Sequence, residues 1–301
     1  MIIGTRGSAL ARTQTDWVRR FLEQKLDAPI NVQIISTQGD RVTDRPLREL
    51  EGSGYFTKEL EEALLDHRVD VAVHSYKDMP SLCPAGLVLA AVSAREDASD
   101  LLIMRRDAAT ASADDFWLKE EALVGTSAVR RETQIKAIRP DIRTKDLRGN
   151  VPTRLTKLHN GEFDAILLAS AGVRRLGLDI TEFNVQKLSP SLFVPAPGQG
   201  ALAIQMRVDD PRITLVKEAI HDDEAFTATR IERQLQALFG GGCGLPLGAF
   251  ASRKDNLWTM EGFWFHPQSG PIRATVRSEN PETLAEELYH ELSPSSCLTT
   301  C

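Results

Sequence analysis

Residues 69–73, Val-Asp-Val-Ala-Val, form a short, mostly β-branched and apolar run, the composition of a strand entering a core. It ends in His74-Ser75-Tyr76-Lys77-Asp78, five side chains with donor, acceptor or titratable groups, and Pro80 stops the turn from continuing as a strand. A core strand that ends in a polar turn constrains the fold, because open α/β sheets bind ligands at the carboxyl ends of their strands. Lys77 and Asp78 are expected there as a charge pair at the mouth of a cleft. A solvated turn carrying a surface ion pair fits the same residues.

Other strand ends repeat the pattern. Ile2-Ile3 leads through Gly4-Thr5-Arg6-Gly7 to Ser8, an N-cap for a first helix, and backbone N–H groups beside Arg6 there suit an anion. A second strand is expected over 32–36. The glycine-rich stretch 51–56 lacks phosphate-loop spacing and reads as a lid or as a connector. Thr57 can cap a helix over 58–67 whose apolar face is Leu60, Ala63 and Leu64. From about residue 98 three junctions deliver arginines: Thr126-Ser127 into Arg130-Arg131, Arg148 through Pro152 to Arg154, and the buried-type strand 163–169 into Arg174-Arg175. One such pair reads as a solvated face; three in equivalent places predict a wall for carboxylates or phosphates. The chain has 301 residues and a net charge of −6. That length suggests two or three domains, and the charge argues against a general nucleic-acid binder, so an anion site must be local.

Residues 195–200 look like a hinge, and 201–206 read as a strand rejoining the first sheet. The fold class expected is therefore α/β, two lobes joined by a double crossover that can close on a ligand, followed by a small α+β domain. The boundaries are 1–94 with 196–213, 95–195, and 214–301. A long amphipathic helix over 224–239 stops at Gly240-Gly241-Gly242. Cys243 follows among glycines, where a thiol can attack or be alkylated; taken alone it reads rather as a small buried residue in a tight turn. Strands over 248–251, 257–265 and 272–276 and a helix over 282–292 complete that domain. Cys83, Cys243, Cys297 and Cys301 have no metal-ligand spacing, so no metal is expected. No apolar run approaches bilayer length and the N-terminus lacks a signal peptide's features, so a cytoplasmic protein without membrane or nucleic-acid partners is expected.

Eight stretches in order, GTRGSALA, FTKELEEALL, AVHSYKDMP, VGTSAVRR, LRGNVPTRL, AGVRRLG, PAPGQGALAI and GGCGLPLG, together resemble the porphobilinogen deaminase family over essentially the whole chain. The resemblance implies lobes of the type II periplasmic-binding kind and a monomer. It implies that Cys243 anchors a dipyrromethane cofactor through a thioether, and that Asp78, beside Lys77, is the catalytic carboxylate. Arg130, Arg131, Lys77, Asp78, Ser127, Thr126 and Ser75 would hold the cofactor; Arg6, Ser8, Lys58, Arg148, Arg154, Arg175 and Gln199 would hold substrate. The implied reaction condenses four porphobilinogen molecules with loss of ammonia onto that primer and releases hydroxymethylbilane by hydrolysis, in tetrapyrrole biosynthesis. Each pyrrole carries two carboxylates, which accounts for arginines in an acidic protein. Ala128, Pro152 and Gln205 stand where serine, glycine and glutamate are frequent in the family, and Tyr76 and Met79 are variants within the catalytic turn.

Overall fold

The computed structural model describes residues 1–41, 54–110, 116–242 and 244–293. Cys243, residues 51–53 of the glycine-rich stretch, and the tail bearing Cys297 and Cys301 lie outside the described residues. The first lobe contains β1 (Ile2–Thr5), α1 (Ala9–Leu26), β2 (Asn31–Ile34), α2 (Gln38–Arg41), α3 (Lys58–Leu65), β3 (Val71–Ser75) and β4 (Leu87–Val92). The second contains β5 (Asp100–Met104), β6 (Leu123–Gly125), α4 (Val129–Ile138), β7 (Arg143–Lys145), α5 (Val151–His159), β8 (Ala165–Ala169), α6 (Ser170–Leu176) and β9 (Asn184–Leu188). The chain then returns as β10 (Leu202–Arg207) and continues through α7 (Ile213–Ile220), α8 (Asp223–Leu238), β11 (Leu247–Lys254), β12 (Leu257–His266), β13 (Gly270–Ser278) and α9 (Leu284–Leu292).

Two five-stranded sheets share one topology, in the orders β2-β1-β3-β10-β4 and β7-β6-β8-β5-β9. In each the first three strands run parallel, and the fourth, β10 or β5, is antiparallel to both its neighbours. Both antiparallel strands adjoin a crossover between the lobes. This is the expected two-lobed arrangement. The third sheet, β11-β12-β13, is an antiparallel meander, and its core joins Ala249, Trp258 and Met260 to Ile231 and Leu235 of α8 and Leu288 of α9.

Local chemistry explains the helix starts that carry function. Ser8 caps α1 by accepting from the Ala11 N–H at 3.2 Å, and Asn150 caps α5 by accepting from the Thr153 N–H at 3.0 Å. Pro152 in the first turn of α5 needs no hydrogen-bond partner there. One expected boundary is corrected: α7 falls almost wholly within the stretch assigned to the third domain, yet Val216 and Ile220 lie in the first lobe's core with Val18, Leu22 and Ile204. Its apolar face matches the open side of that sheet, and burial of each such side chain is worth about 1.5–3 kcal/mol.

The crossovers run side by side. Leu202 N–H donates to Ser93 Oγ at 3.0 Å, and Glu96 N–H donates to the Gly200 carbonyl at 3.1 Å. Gly200 has φ +97°, and a Cβ there would stand 2.3 Å from the Glu96 carbonyl oxygen, so only glycine permits this approach. Glu232 of α8, fully buried, ties both crossovers to the third domain. It pairs with Arg95 at 2.6 and 3.1 Å and accepts from the Gly198 and Ala251 N–H groups, both at 2.8 Å. Glu232→Ala should therefore destabilise the protein by about 3–5 kcal/mol, the cost of stranding one member of a buried pair. Calorimetry of this variant and of the double variant with Arg95→Met tests it: the second change should recover part of the loss.

Candidate active site

A cavity of about 650 Å³ opens where the two lobes and the third domain meet. The turn after β3 contributes Lys77, Asp78 and Ser81; the start of α4 contributes Ser127, Arg130 and Arg131; α5 contributes Arg154. Gln199 enters from the returning crossover, and Gln236, Gly242 and Gly244 come from the end of α8 and the loop beyond. The parallel order β7-β6-β8 explains the convergence, because strands running one way deliver their carboxyl ends, and the arginines that follow, to one edge.

Asp100, at the start of β5, organises the wall. It is fully buried and takes Arg130 Nη2 at 2.8 Å and Arg131 Nη2 at 2.7 Å on separate oxygens. Gln199 Nε2 donates to the same carboxylate at 2.9 Å, while its Oε1 accepts from Lys77 Nζ at 3.2 Å. Burial pushes the Asp100 carboxyl up, but Arg130 and Arg131 outweigh it and hold the group well below the usual carboxylate range. Lys77 thus hydrogen-bonds Gln199, and the expected Lys77–Asp78 pair does not form. Among the described residues the Asp78 carboxylate has no hydrogen bond or ion pair. It borders the large cavity and a neighbouring pocket of about 70 Å³ lined by Arg6, Ser8, Gln14 and Ser75.

Burial, with Arg131 next, lowers the Lys77 ammonium to about 8. Burial and the like charges of Arg131 and Arg148 lower Arg154 to about 10. Among the described residues Lys77, Arg130, Arg131 and Arg154 face only Asp78 and Asp100, an excess of two positive charges, so the cavity is suited to a ligand rich in carboxylates.

Several expected donors are already engaged. Arg6 pairs with Asp40 through Nε at 3.3 Å and Nη2 at 2.5 Å, and lies 4.1 Å from the Phe56 ring centroid. Ser127 Oγ donates to the Leu147 carbonyl at 2.8 Å, and Thr126 Oγ1 accepts from the Ala128 N–H at 3.2 Å. Ser75 Oγ pairs with the Gln14 amide at 3.1 Å. Arg175 Nη2 donates to the Gly200 carbonyl at 2.7 Å and is spent on the hinge. Lys58, exposed at the start of α3, Arg148 and Arg175 line neither cavity. Beneath the turn, burial lowers His74 to about 4; its Nε2 lies 3.1 Å from Gln205 Oε1, and Gln205 Nε2 donates to Glu61 at 3.1 Å. Arg233 of α8 donates to the Tyr76 and Met79 carbonyls, both at 3.2 Å, and to that of Pro80, fixing the turn from the third domain. Asp100, Gln14 and Arg233 are absent from the sequence reading; an acidic residue opening the apolar run 100–104 was the one available sign.

Asp100→Asn should cost about 3–5 kcal/mol at neutral pH by leaving two buried guanidinium groups short of charge. Because the folded-state pKa of Asp100 is depressed, its contribution is complete above the unfolded value of about 4 and fades as pH falls below it. The stability gap between wild type and variant, measured by denaturant titration, should therefore narrow below about pH 4 and stay constant above.

Comparison with known proteins agrees with this geometry. Residues 1–215 match the family model described as porphobilinogen deaminase, dipyromethane cofactor binding domain. The chain is 41% identical to porphobilinogen deaminase of Chromobacterium violaceum over 290 residues, 96% of this chain and 91% of that one. It is 48% identical to the probable porphobilinogen deaminase of Methanocella arvoryzae over 254 residues, 84% and 80% of the two chains. The Streptococcus sanguinis enzyme is 39% identical over 97% of this chain and 94% of its own. With a cationic cavity built around Asp78 and similarity spanning nearly its whole length, the chain belongs to the porphobilinogen deaminase family.

Proposed function

We propose that the protein is a hydroxymethylbilane synthase. It condenses four porphobilinogen molecules head to tail, with loss of ammonia, on a dipyrromethane held by Cys243, and releases the tetrapyrrole by hydrolysis. The observation that carries this reading is the Asp78 carboxylate, unpaired among the described residues and bordering two compartments beside an excess of cationic side chains. The same reading makes it a cytoplasmic monomer. Among the described residues no helix is long and apolar enough to cross a membrane, and no cluster of possible metal ligands occurs.

The residues present fit the cofactor. Its four carboxylates match Lys77, Arg130, Arg131 and Arg154, of which Lys77 and Arg154 have no carboxylate partner among the described residues. When bound, the dipyrromethane would supply the nucleophilic pyrrole carbon for the first unit only, each later unit being joined to the one before it. Arg6 and Ser8 lie in the smaller pocket with Asp78, where an incoming porphobilinogen can place its carboxylates once Arg6 exchanges Asp40 for substrate. Asp78 Oδ accepts from the substrate pyrrole N–H and opposes the positive charge that develops as ammonia leaves. The same oxygen can hold one proton and pass it on. Lys77, kept in place by Gln199, adds a donor whose charge depends on pH near neutrality.

Asp78→Asn preserves shape and removes the charge, so kcat should fall at least about a hundredfold, the usual cost of one electrostatic stabiliser. Turnover within a few-fold of wild type would assign the catalysis to another group.

Lys77 is protonated below its folded-state value of about 8 and neutral above it. Loading of the dipyrromethane onto the unloaded chain, followed as added mass, should therefore slow as pH rises through about 8. In Lys77→Arg that limb should move to higher pH, since a guanidinium keeps its proton.

Protein made in cells that synthesise porphobilinogen should be heavier than its sequence by two condensed pyrrole units, surviving denaturation as a thioether does. Cys243→Ser should lose the added mass and the activity, while Cys83→Ser, Cys297→Ser and Cys301→Ser keep both. Intact mass spectrometry decides it: active wild type of unmodified mass would exclude the anchor.

A further inference from the structure

Gly240, Gly241 and Gly242 have φ of +89°, +71° and +97°, three successive left-handed residues that only glycine adopts freely. They lead into Cys243, and a loop of this composition needs outside restraint. Gln236, in the last turn of α8, supplies it twice. Its carbonyl accepts from the Gly241 N–H at 2.9 Å, and its side-chain Nε2 donates to the Gly242 carbonyl at 2.9 Å.

The other half of that amide is idle. Gln236 is only 7% exposed yet borders the large cavity, and its Oε1 is buried with no hydrogen-bond partner among the described residues. Ser81 Oγ, at the same end of the cavity, is also buried and without a partner among the described residues, 3.2 Å from where a Cβ on Gly241 would stand. Buried polar atoms are normally satisfied, so an unpartnered acceptor on a residue that borders a cavity calls for a donor from the occupant. Carboxylates cannot pair with an amide oxygen; a pyrrole N–H can.

Resting on the deaminase reading, we propose that Gln236 is a positioning residue for cofactor loading. Nε2 fixes the Gly242 peptide that leads into Cys243, while Oε1 accepts from the N–H of a pyrrole unit entering the cavity. This assigns the end of α8 a part in building the cofactor that is separate from the arginine contacts to its carboxylates.

The test uses the full chain purified from cells that make no porphobilinogen, then supplied with it, and follows added mass with time. Gln236→Leu should load at least about tenfold more slowly, the loss of a buried hydrogen bond, with a thermal midpoint before loading within about 3 °C of wild type. Gln236→Glu should load slowly at about pH 8, where a carboxylate cannot donate to Gly242, and gain on wild type as pH falls towards about 5, because burial raises a carboxyl's pKa there and the protonated fraction that can donate grows. Rates are taken as ratios to wild type at each pH, so changes in the substrate cancel. Wild-type loading by Gln236→Leu, or a Gln236→Glu ratio flat with pH, overturns the proposal and leaves the deaminase reading intact. A wild-type chain that never gains mass overturns that reading and this proposal with it.

Discussion

The buried carboxylate of Asp100 is the constraint on which the site depends. Two guanidinium groups side by side repel one another, and burying them adds a desolvation cost. Asp100 offsets both by giving one oxygen to Arg130 and the other to Arg131, and the Val194 and Leu167 carbonyls take further N–H groups at 2.7 and 3.0 Å. The wall is thereby assembled before any ligand arrives, which lowers the ordering cost of binding. Through Gln199 the network reaches Lys77 in the other lobe. The arginine wall and the turn that carries Lys77 and Asp78 thus share one hydrogen-bonded chain, and that chain exists because both crossovers pass through the same place.

The third domain is built into this arrangement. Consecutive residues of α8 act on different partners: Glu232 grips the two crossovers, and Arg233 grips the carbonyls of the turn that carries Lys77 and Asp78. The Arg233 guanidinium also lies 4.6 Å from the Tyr76 ring centroid, so the aromatic variant in that turn is held by the helix leading to the cysteine loop. On the proposed function, a rigid element that positions both the turn and the residues leading to the loop suits chemistry between them, since small misplacements are costly to rate.

Some residues that read as ligand contacts serve the scaffold. Ser127 and Thr126 close the junction between β6 and α4, which is how Ala128 can stand at the helix start without a side-chain cap. Gln205, where the family often has glutamate, sits between a neutral His74 and Glu61 as donor and acceptor at once. A second carboxylate there would face Glu61, whose own carboxyl burial already pushes up.

The sequence by itself determined what is local. Ser8 and Asn150 cap helices through bonds spanning three residues, apolar runs such as 163–169 mark core strands, and the recurring arginines after strand ends predict a shared edge. The tertiary structure alone decided which of those arginines remain available to a ligand. Arg130 meets Asp100 across 30 residues, Gln199 meets it across 99, and Arg6 meets Asp40 across 34. Residue type and spacing set what a guanidinium can bind; whether it is already bound depends on which distant carboxylate or carbonyl the fold brings within about 3 Å.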